Sequence, residues 1–484
     1  MKKLLNWFND KILFIGVAVL LIFIPLYPKF PLFNIPKTYV AVRTEDLLVG
    51  FLVIFCLLRT WREKTIFWKD GLNRLIVLYF IIGALSVLNA IFITKVSIPH
   101  LTILHWLRRL EYMSLFFVVA FSIKKIQDVK DYLVCVSFAF IGVFIYGIGQ
   151  KFFNFPVVST MNEEFSKGYL LTLNEWARIS STFAGHYDLA AYLVIVLAVI
   201  LALIFAVDSK WKKILIAVLW LLALYLLVLT ASQTSFAAYL ISMVTILILL
   251  KRFGWIIPLT AVSLSLMLFS NDLSQRYAAS YKVNLSFLSG YSTPKTSEIT
   301  LTPSPTPAAL PTTTSFQAKA PLPTPTIIYK EKKYVNYGPT EPVNAVELTA
   351  YRSSKIRFNV EWPRALRAFY KNPLLGTGFA SITLATDNDY LRALGETGLL
   401  GFISLYLIFI KIAVTGLKYL KISSNKFGKT ITIGFLGAMV GLLSNAVFID
   451  VLESSKVAYT FWMFMGIMIG FIKLESRNWS ANNE

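Results

Sequence analysis

Charge is scarce in this chain. Only 15% of its 484 residues are Asp, Glu, Lys or Arg, against about 25% in an ordinary soluble domain. That deficit, set beside 56% hydrophobic residues and 38 Phe, excludes a disordered protein and a large soluble enzyme. Cysteine is nearly missing as well. Cys56 and Cys135 each lie inside an apolar run, so the sequence holds no disulfide framework and no Cys/His metal spacing. The three histidines, His100, His105 and His186, have no partner at metal-ligand spacing. Acidic residues number 26 against 47 basic ones, a formal net charge of +21. This excess does not point to nucleic acid, because Lys and Arg fall in short clusters between apolar runs and not in one basic module.

Apolar sequence is what the chain has in plenty. A bilayer-crossing helix takes ~20 mostly apolar residues, and such runs read as about twelve helices: 12–27, 45–58, 72–93, 110–123, 131–150, 187–207, 212–229, 235–250, 255–270, 393–415, 430–449 and 456–473. The expected fold class is all-α: a polytopic membrane protein with about 12 transmembrane helices and one long extracytoplasmic loop between spans 9 and 10. The first run follows Lys2 and Lys3 as in a signal peptide. It shows no small-residue cleavage site before Pro25, so it reads as an uncleaved first helix.

Orientation follows from the basic clusters. With the N-terminus in the cytoplasm, the inside loops carry Arg59, Arg62, Lys64 and Lys69, then Lys124, Lys125 and Lys130, then Lys210, Lys212 and Lys213, and later Lys418, Lys421 and Lys426. The turns 230–234 and 450–455 carry no Lys or Arg before Lys456. Cytoplasmic loops are enriched in these residues, so both termini are expected inside and the loop 271–392 outside. The expected organisation is an N-terminal membrane domain over 1–270 with an outer segment at 151–186, then the outer loop 271–392. A C-terminal membrane domain over 393–473 and a cytoplasmic tail at 474–484 complete it. Within the outer loop, residues 292–326 are half Pro and Thr. Such a tract cannot bury enough apolar surface to fold and is expected to be solvated and disordered. Residues 341–371 mix apolar side chains with arginine and are expected to be helical.

Three outer segments hold polar groups that a purely structural membrane protein does not need. They are Arg178-Ile-Ser-Ser-Thr-Phe-Ala-Gly-His186, the turn Thr230-Ala-Ser-Gln-Thr-Ser235, and the stretch from Arg357 through Pro373-Leu-Leu-Gly-Thr-Gly378 to Asp387-Asn-Asp-Tyr-Leu-Arg-Ala-Leu-Gly-Glu-Thr-Gly-Leu-Leu-Gly401. In these motifs the sequence resembles the O-antigen ligase and O-antigen polymerase superfamily of bacterial membrane glycosyltransferases. Pro-x-x-Gly-x-Gly followed by Asp-Asn, Tyr-Leu and Glu-x-Gly ahead of a span carries the resemblance. Arg178, Thr-x-Ser at 230–232 and the long outer loop support it. Two positions depart from the pattern: Asp387 stands where ligases of that family have His, and Gln233 where many members have Arg. The Asp-Asn form looks more like the polymerase side.

The resemblance implies a plasma-membrane enzyme with an extracytoplasmic site. Such an enzyme, seated in the lipid bilayer, moves glycan at the outer face from a polyprenyl diphosphate carrier to a hydroxyl of a glycan, lipid or protein acceptor. The outer segments carry no carboxylate cluster at divalent-metal spacing, so no metal and no cofactor is expected. The departing diphosphate develops charge that fixed cations stabilise, and guanidinium grips phosphate oxygens in a bidentate fork. Arg178 and Asp387 are therefore the expected catalytic residues, Asp387 as general base. Arg357, Arg364, Asn388, Tyr390, Gly376, Gly378 and Gln233 are the expected substrate-binding set. Pro363 is expected to interrupt any continuous helix between Arg357 and Arg364.

Plainer readings stand beside these. Asp387, Asn388 or Asp389 can cap the helix of span 10, worth ~1 kcal/mol, and Arg178 can anchor lipid phosphates in general. Glu396 has Arg392 at helical i, i−4 spacing, and the glycines can serve a tight turn. Arg108 and Arg109, outside span 4 by this reading, are secondary candidates for diphosphate contact. A secondary transporter or flippase, and a peptidoglycan polymerase of the shape–elongation–division–sporulation type, are the competing functions. The transporter is disfavoured by spans that read as nearly free of charge.

Overall fold

In this computed structural model the residues described are 2–35, 41–62, 70–95, 98–158, 170–173, 178–268, 270, 273–275, 277–278, 355–382 and 386–481. The Pro/Thr tract 292–326 and the portion 341–354 of the expected helical segment lie outside them.

The described chain is mostly helical. Long apolar runs have no other stable state in lipid, where every backbone N–H and C=O must find its partner inside the segment. In order the helices are α1 (Lys2–Leu26), α2 (Thr44–Arg62), α3 (Gly71–Asn89), α4 (Pro99–Ser122), α5 (Ile126–Phe152), α6 (His186–Ala206), α7 (Lys210–Leu229), α8 (Gln233–Leu249), α9 (Ile256–Leu268), α10 (Trp362–Lys371), α11 (Asp389–Ile422), α12 (Lys426–Asn445) and α13 (Ser455–Ala481). Every apolar run read from the sequence falls largely within one of them. Among the described residues seven helices are long and apolar enough to cross a membrane, α3, α5, α6, α7, α11, α12 and α13. The chain is thus a multi-pass helical protein.

Among the described residues two departures from an all-helical chain occur in connections. β1 (Pro31–Asn34) pairs antiparallel with β2 (Ala41–Arg43), and β3 (Val157–Val158) with β4 (Leu170–Leu171). Pro28 and Pro31 hold the start of the first connection out of helix, and the short pairings satisfy backbone groups of the paired strands.

The stretches expected as separate N- and C-terminal membrane domains pack as one unit, which takes in residues up to 277 and from 353 onward. α12 lies against α6 and α8, and α13 against α4. Glycines make this possible. A Cβ on Gly434 would come within 2.6 Å of the Ala202 Cβ, and one on Gly466 within 2.7 Å of the Phe116 carbonyl oxygen, so these helices approach at backbone distance. α6 and α13 bury 83% and 89% of their apolar windows while α7 buries 33%. The first two form the centre and the last the rim.

Charged contacts mark the two ends of the bundle. At one end Asp10 meets Arg59 at 2.6 Å, Lys426 meets Asp208 at 2.7 Å, and Lys473 meets Asp70. These are the Lys-rich connections. The other end gathers β1–β2, the segment before α6, the turn 446–454 and the residues before α11.

Candidate functional site

The start of α11 organises the candidate site. Asn388 caps the helix, its side-chain oxygen accepting from the Leu391 N–H at 2.9 Å. That assignment leaves Asp387 free of capping duty. Asp387 has φ +50°, a left-handed conformation that Asp and Asn tolerate better than most residues. Its Oδ2 takes two bonds from Arg357, from Nε at 2.8 Å and a terminal nitrogen at 2.8 Å. The Asp387 side chain is 30% exposed, so it is braced and still reachable. Burial pushes its carboxyl above the usual range, against the pull of Arg357.

Asp450, in the α12–α13 turn, holds this corner. Its carboxylate accepts from the backbone N–H groups of Thr386 (2.8 Å), Asp387 (3.2 Å) and Asn388 (3.1 Å), and from Arg392 (2.9 Å). Burial opposes its ionisation, but Arg392 and these N–H groups keep it below the usual carboxylate range. Arg392 also meets Glu396 at 3.2 Å, the pairing its i, i+4 spacing predicts. Asp389 accepts from the N–H groups of Val451 and Leu452 at 2.8 and 2.9 Å. Behind them a cavity of about 30 Å³, lined by Tyr79, Arg109, Asp389, Arg392 and Glu396 among others, has room for about one water.

The glycine motifs have a backbone explanation. α11 breaks at Gly398 (φ +64°, ψ −169°), and the 373–378 loop is stitched into the break. Leu399 N–H donates to the Pro373 carbonyl at 2.8 Å and Leu400 N–H to that of Leu374 at 3.2 Å. In return Thr377 N–H donates to Gly395 at 3.0 Å and Gly378 N–H to Glu396 at 2.8 Å. A Cβ on Gly376 would sit 2.4 Å from the Glu396 carbonyl carbon, and one on Gly398 2.4 Å from that of Leu374. Asn89 Nδ2 fastens the loop to α3 by donating to the Gly376 carbonyl at 2.8 Å. Pro-x-x-Gly-x-Gly and Glu-x-Gly are therefore two halves of one backbone-paired unit.

Ahead of α10 the backbone forms a π-helical turn, Arg357–Glu361, in which the Trp362 N–H reaches the Arg357 carbonyl five residues back. This corrects the expectation that Pro363 interrupts the helix. A proline ring crowds the carbonyl four residues earlier, and the widened turn absorbs it, so the helical path runs from Arg357 past Arg364.

Arg178 stands elsewhere at the same end. A terminal guanidinium nitrogen lies 2.7 Å from His186 Nε2 and 3.5 Å from the Tyr187 hydroxyl, and the guanidinium covers the Tyr187 ring at 5.8 Å. Guanidinium can only donate, so Nε2 is an acceptor and the imidazole is neutral with its proton on Nδ1. Among the described residues no carboxylate pairs with Arg178. The Arg178 segment is tied inward where Lys456 Nζ donates to the carbonyls of Thr182 (2.8 Å) and Pro25 (3.1 Å). Lys29 meets Asp188 at 3.7 Å nearby, and burial pulls that lysine down to about 8 against the carboxylate's support. The α12–α13 region thus touches both the Arg178 segment, through Lys456, and the Asp387 corner, through Asp450.

The sequence-predicted residues separate accordingly. Arg357 and Asp387 come together, with Asn388 beside them as a cap. Tyr390 donates to the Leu443 carbonyl at 2.9 Å and stacks on Tyr406, a packing position. Gln233 begins α8 and its carbonyl accepts from the Tyr277 hydroxyl at 2.6 Å. The Thr-x-Ser turn is internal, with Ser232 bonded to Ser235 and Ser235 to Asn445. Arg108 and Arg109 are corrected. α4 begins at Pro99, so both lie within it, Arg108 against Asp46 at 3.6 Å and Arg109 paired with Glu453. Within the expected spans Glu396 and Lys456 are enclosed charges, and Arg109, Asp389 and Arg392 are enclosed just outside those bounds, in the helices that carry the spans.

Asp450, Asn89, Lys29 and Lys456 were missed by sequence reading. The turn before α13 lacks basic residues but carries two acids, Asp450 and Glu453, and those acids are the sequence signal for this corner. Among the described residues no three His, Cys, Asp or Glu side chains converge on a point that would hold a metal ion. No protein-family model matches the chain, and no curated protein matches it.

Proposed function

We propose that this chain is a membrane glycosyltransferase of the O-antigen ligase and polymerase type. It spans the bilayer about twelve times with its Lys-rich end in the cytoplasm. At its outer end it moves glycan from a polyprenyl diphosphate carrier to an acceptor hydroxyl. The observation that carries this reading is the division of labour between two arginines. Arg357 is neutralised by Asp387, whereas Arg178 contacts only neutral groups among the described residues and keeps its charge for an anion. Arg178 therefore suits the diphosphate, and the braced, partly exposed Asp387 suits the base.

In the step, the acceptor oxygen bonds to the anomeric carbon of the donor and its proton passes to the Asp387 carboxylate. The bond from that carbon to the diphosphate oxygen breaks, and the polyprenyl diphosphate leaves with the electron pair, its charge met by Arg178. Arg357 orients Asp387, and its pull limits the rise that burial causes.

Arg178→Ala should accumulate lipid-linked oligosaccharide in cells at undiminished protein level. Full glycan assembly by that variant would refute the role. A flippase is the second reading, favoured by the broken α11 and the enclosed charges around it. Liposomes decide between them, since substrate movement without formation of a glycosidic bond would establish transport.

A further inference from the structure

We infer that the Arg357–Glu361 turn and the start of α10 form a subsite for a neutral saccharide, the terminal sugar of an acceptor glycan. This inference rests on the transferase reading and narrows its acceptor to carbohydrate. Four shielded polar atoms here have no hydrogen-bond partner among the described residues: Glu361 Oε2, Trp362 Nε1, a terminal nitrogen of Arg364 and Thr386 Oγ1. Three of them fall within four consecutive residues, and Thr386 adjoins Asp387, which Arg357 grips. A shielded polar group left unsatisfied is costly, so these four atoms call for a polar ligand.

Their chemistry selects its class. The indole and the guanidinium only donate, the carboxylate accepts, and the threonine hydroxyl does both. Sugar hydroxyls, which donate and accept, complement all four. A diphosphate only accepts, and here it would face the carboxylates of Glu361, Asp387 and Asp450. Trp362 adds an aromatic surface, with Phe358 at 4.7 Å and Phe448 at 6.1 Å between ring centres, against which the apolar face of a pyranose can lie. A tryptophan that merely anchors at the bilayer interface keeps its N–H wet, whereas that of Trp362 is shielded. Burial and the Asp387 charge push Glu361 up to about 7, so near neutrality it can donate as well as accept. Arg357 lies four residues before Glu361, which sets a sugar held here beside the general base.

The test uses the full chain in nanodiscs. The donor is the polyprenyl-diphosphate-linked glycan that accumulates in a strain lacking this protein. The acceptor probe is the same glycan released from its carrier by mild acid. Mass spectrometry reads elongation, and size-exclusion chromatography checks folding. Trp362→Phe and Thr386→Val should each raise the acceptor concentration for half-maximal rate about tenfold, equivalent to ~1.4 kcal/mol, and leave that for donor unchanged. Thr386→Val also serves if the Trp362 variant misfolds. Unchanged acceptor dependence in a folded variant would overturn the subsite and leave the transferase reading intact. So would transfer to lipid or protein but never to the free glycan. Failure of the wild-type chain to form any glycosidic bond would overturn both.

Discussion

The contrast between Arg178 and Arg357 is a matter of what each guanidinium touches. Arg357 spends two donors on one oxygen of Asp387, a geometry that fixes the carboxylate while burial raises it. Asp387→Asn should lower turnover by about 10²–10⁴, the usual weight of a positioned base, with normal folding by size-exclusion chromatography. The pH profile carries a sign. A base works ionised, so a raised carboxyl places the acid limb of activity above that of an ordinary aspartate near 3.9. Arg357→Gln removes the group that pulls Asp387 down, so the limb should move to still higher pH; a shift to lower pH would refute the pairing. Asp450 is a different case. Its loss strips an acceptor from three N–H groups and from Arg392. Asp450→Ala should destabilise by ~3–5 kcal/mol, as when one partner of a buried pair is removed, measured as a fall in the thermal midpoint.

Among the elements, α11 shows how a helix can be broken without leaving backbone groups unpaired. The 373–378 loop supplies carbonyls to Leu399 and Leu400 and receives carbonyls from Gly395 and Glu396. Gly376 and Gly398 are the points where the two backbones touch, both at positive φ. Gly376→Ala and Gly398→Ala combine a left-handed backbone, costing ~1–3 kcal/mol, with a Cβ that has no room. Each should lower the thermal midpoint and the yield of folded protein. Gly50 is the control, since a Cβ there meets nothing within 4 Å. Gly50→Ala should be neutral or stabilise α2 by ~0.5–1 kcal/mol. If the two kinds of glycine responded alike, the stitched break would not be what the motif specifies.

Over the whole molecule, the basic connections and the polar corners lie at opposite ends of one bundle. With Cys56 and Cys135 replaced by alanine, a single cysteine at Asp208 and another at Tyr370, both exposed, should react with an impermeant maleimide from opposite sides of the membrane. The proposed orientation puts Tyr370 on the outer face and Asp208 on the cytoplasmic one. Labelling of both from one side would remove the proposed orientation.

Apolar run length determined the helices and their order, because lipid-length hydrophobic segments have one way to satisfy their backbones. Helical periodicity likewise determined the Arg392–Glu396 pair, and the pattern Asp-Asn-Asp announced a helix start. Which of the three residues caps, which carboxylate faces Arg357, and that Asp450 gathers three N–H groups were decided only by tertiary structure. Those contacts join residues some thirty to sixty positions apart through turns whose paths no local preference fixes. The enclosed charges of α4, α11 and α13 were hidden for the same reason: most of their partners come from the 446–454 turn and the segment before α6, connections distant in sequence from the charge they meet.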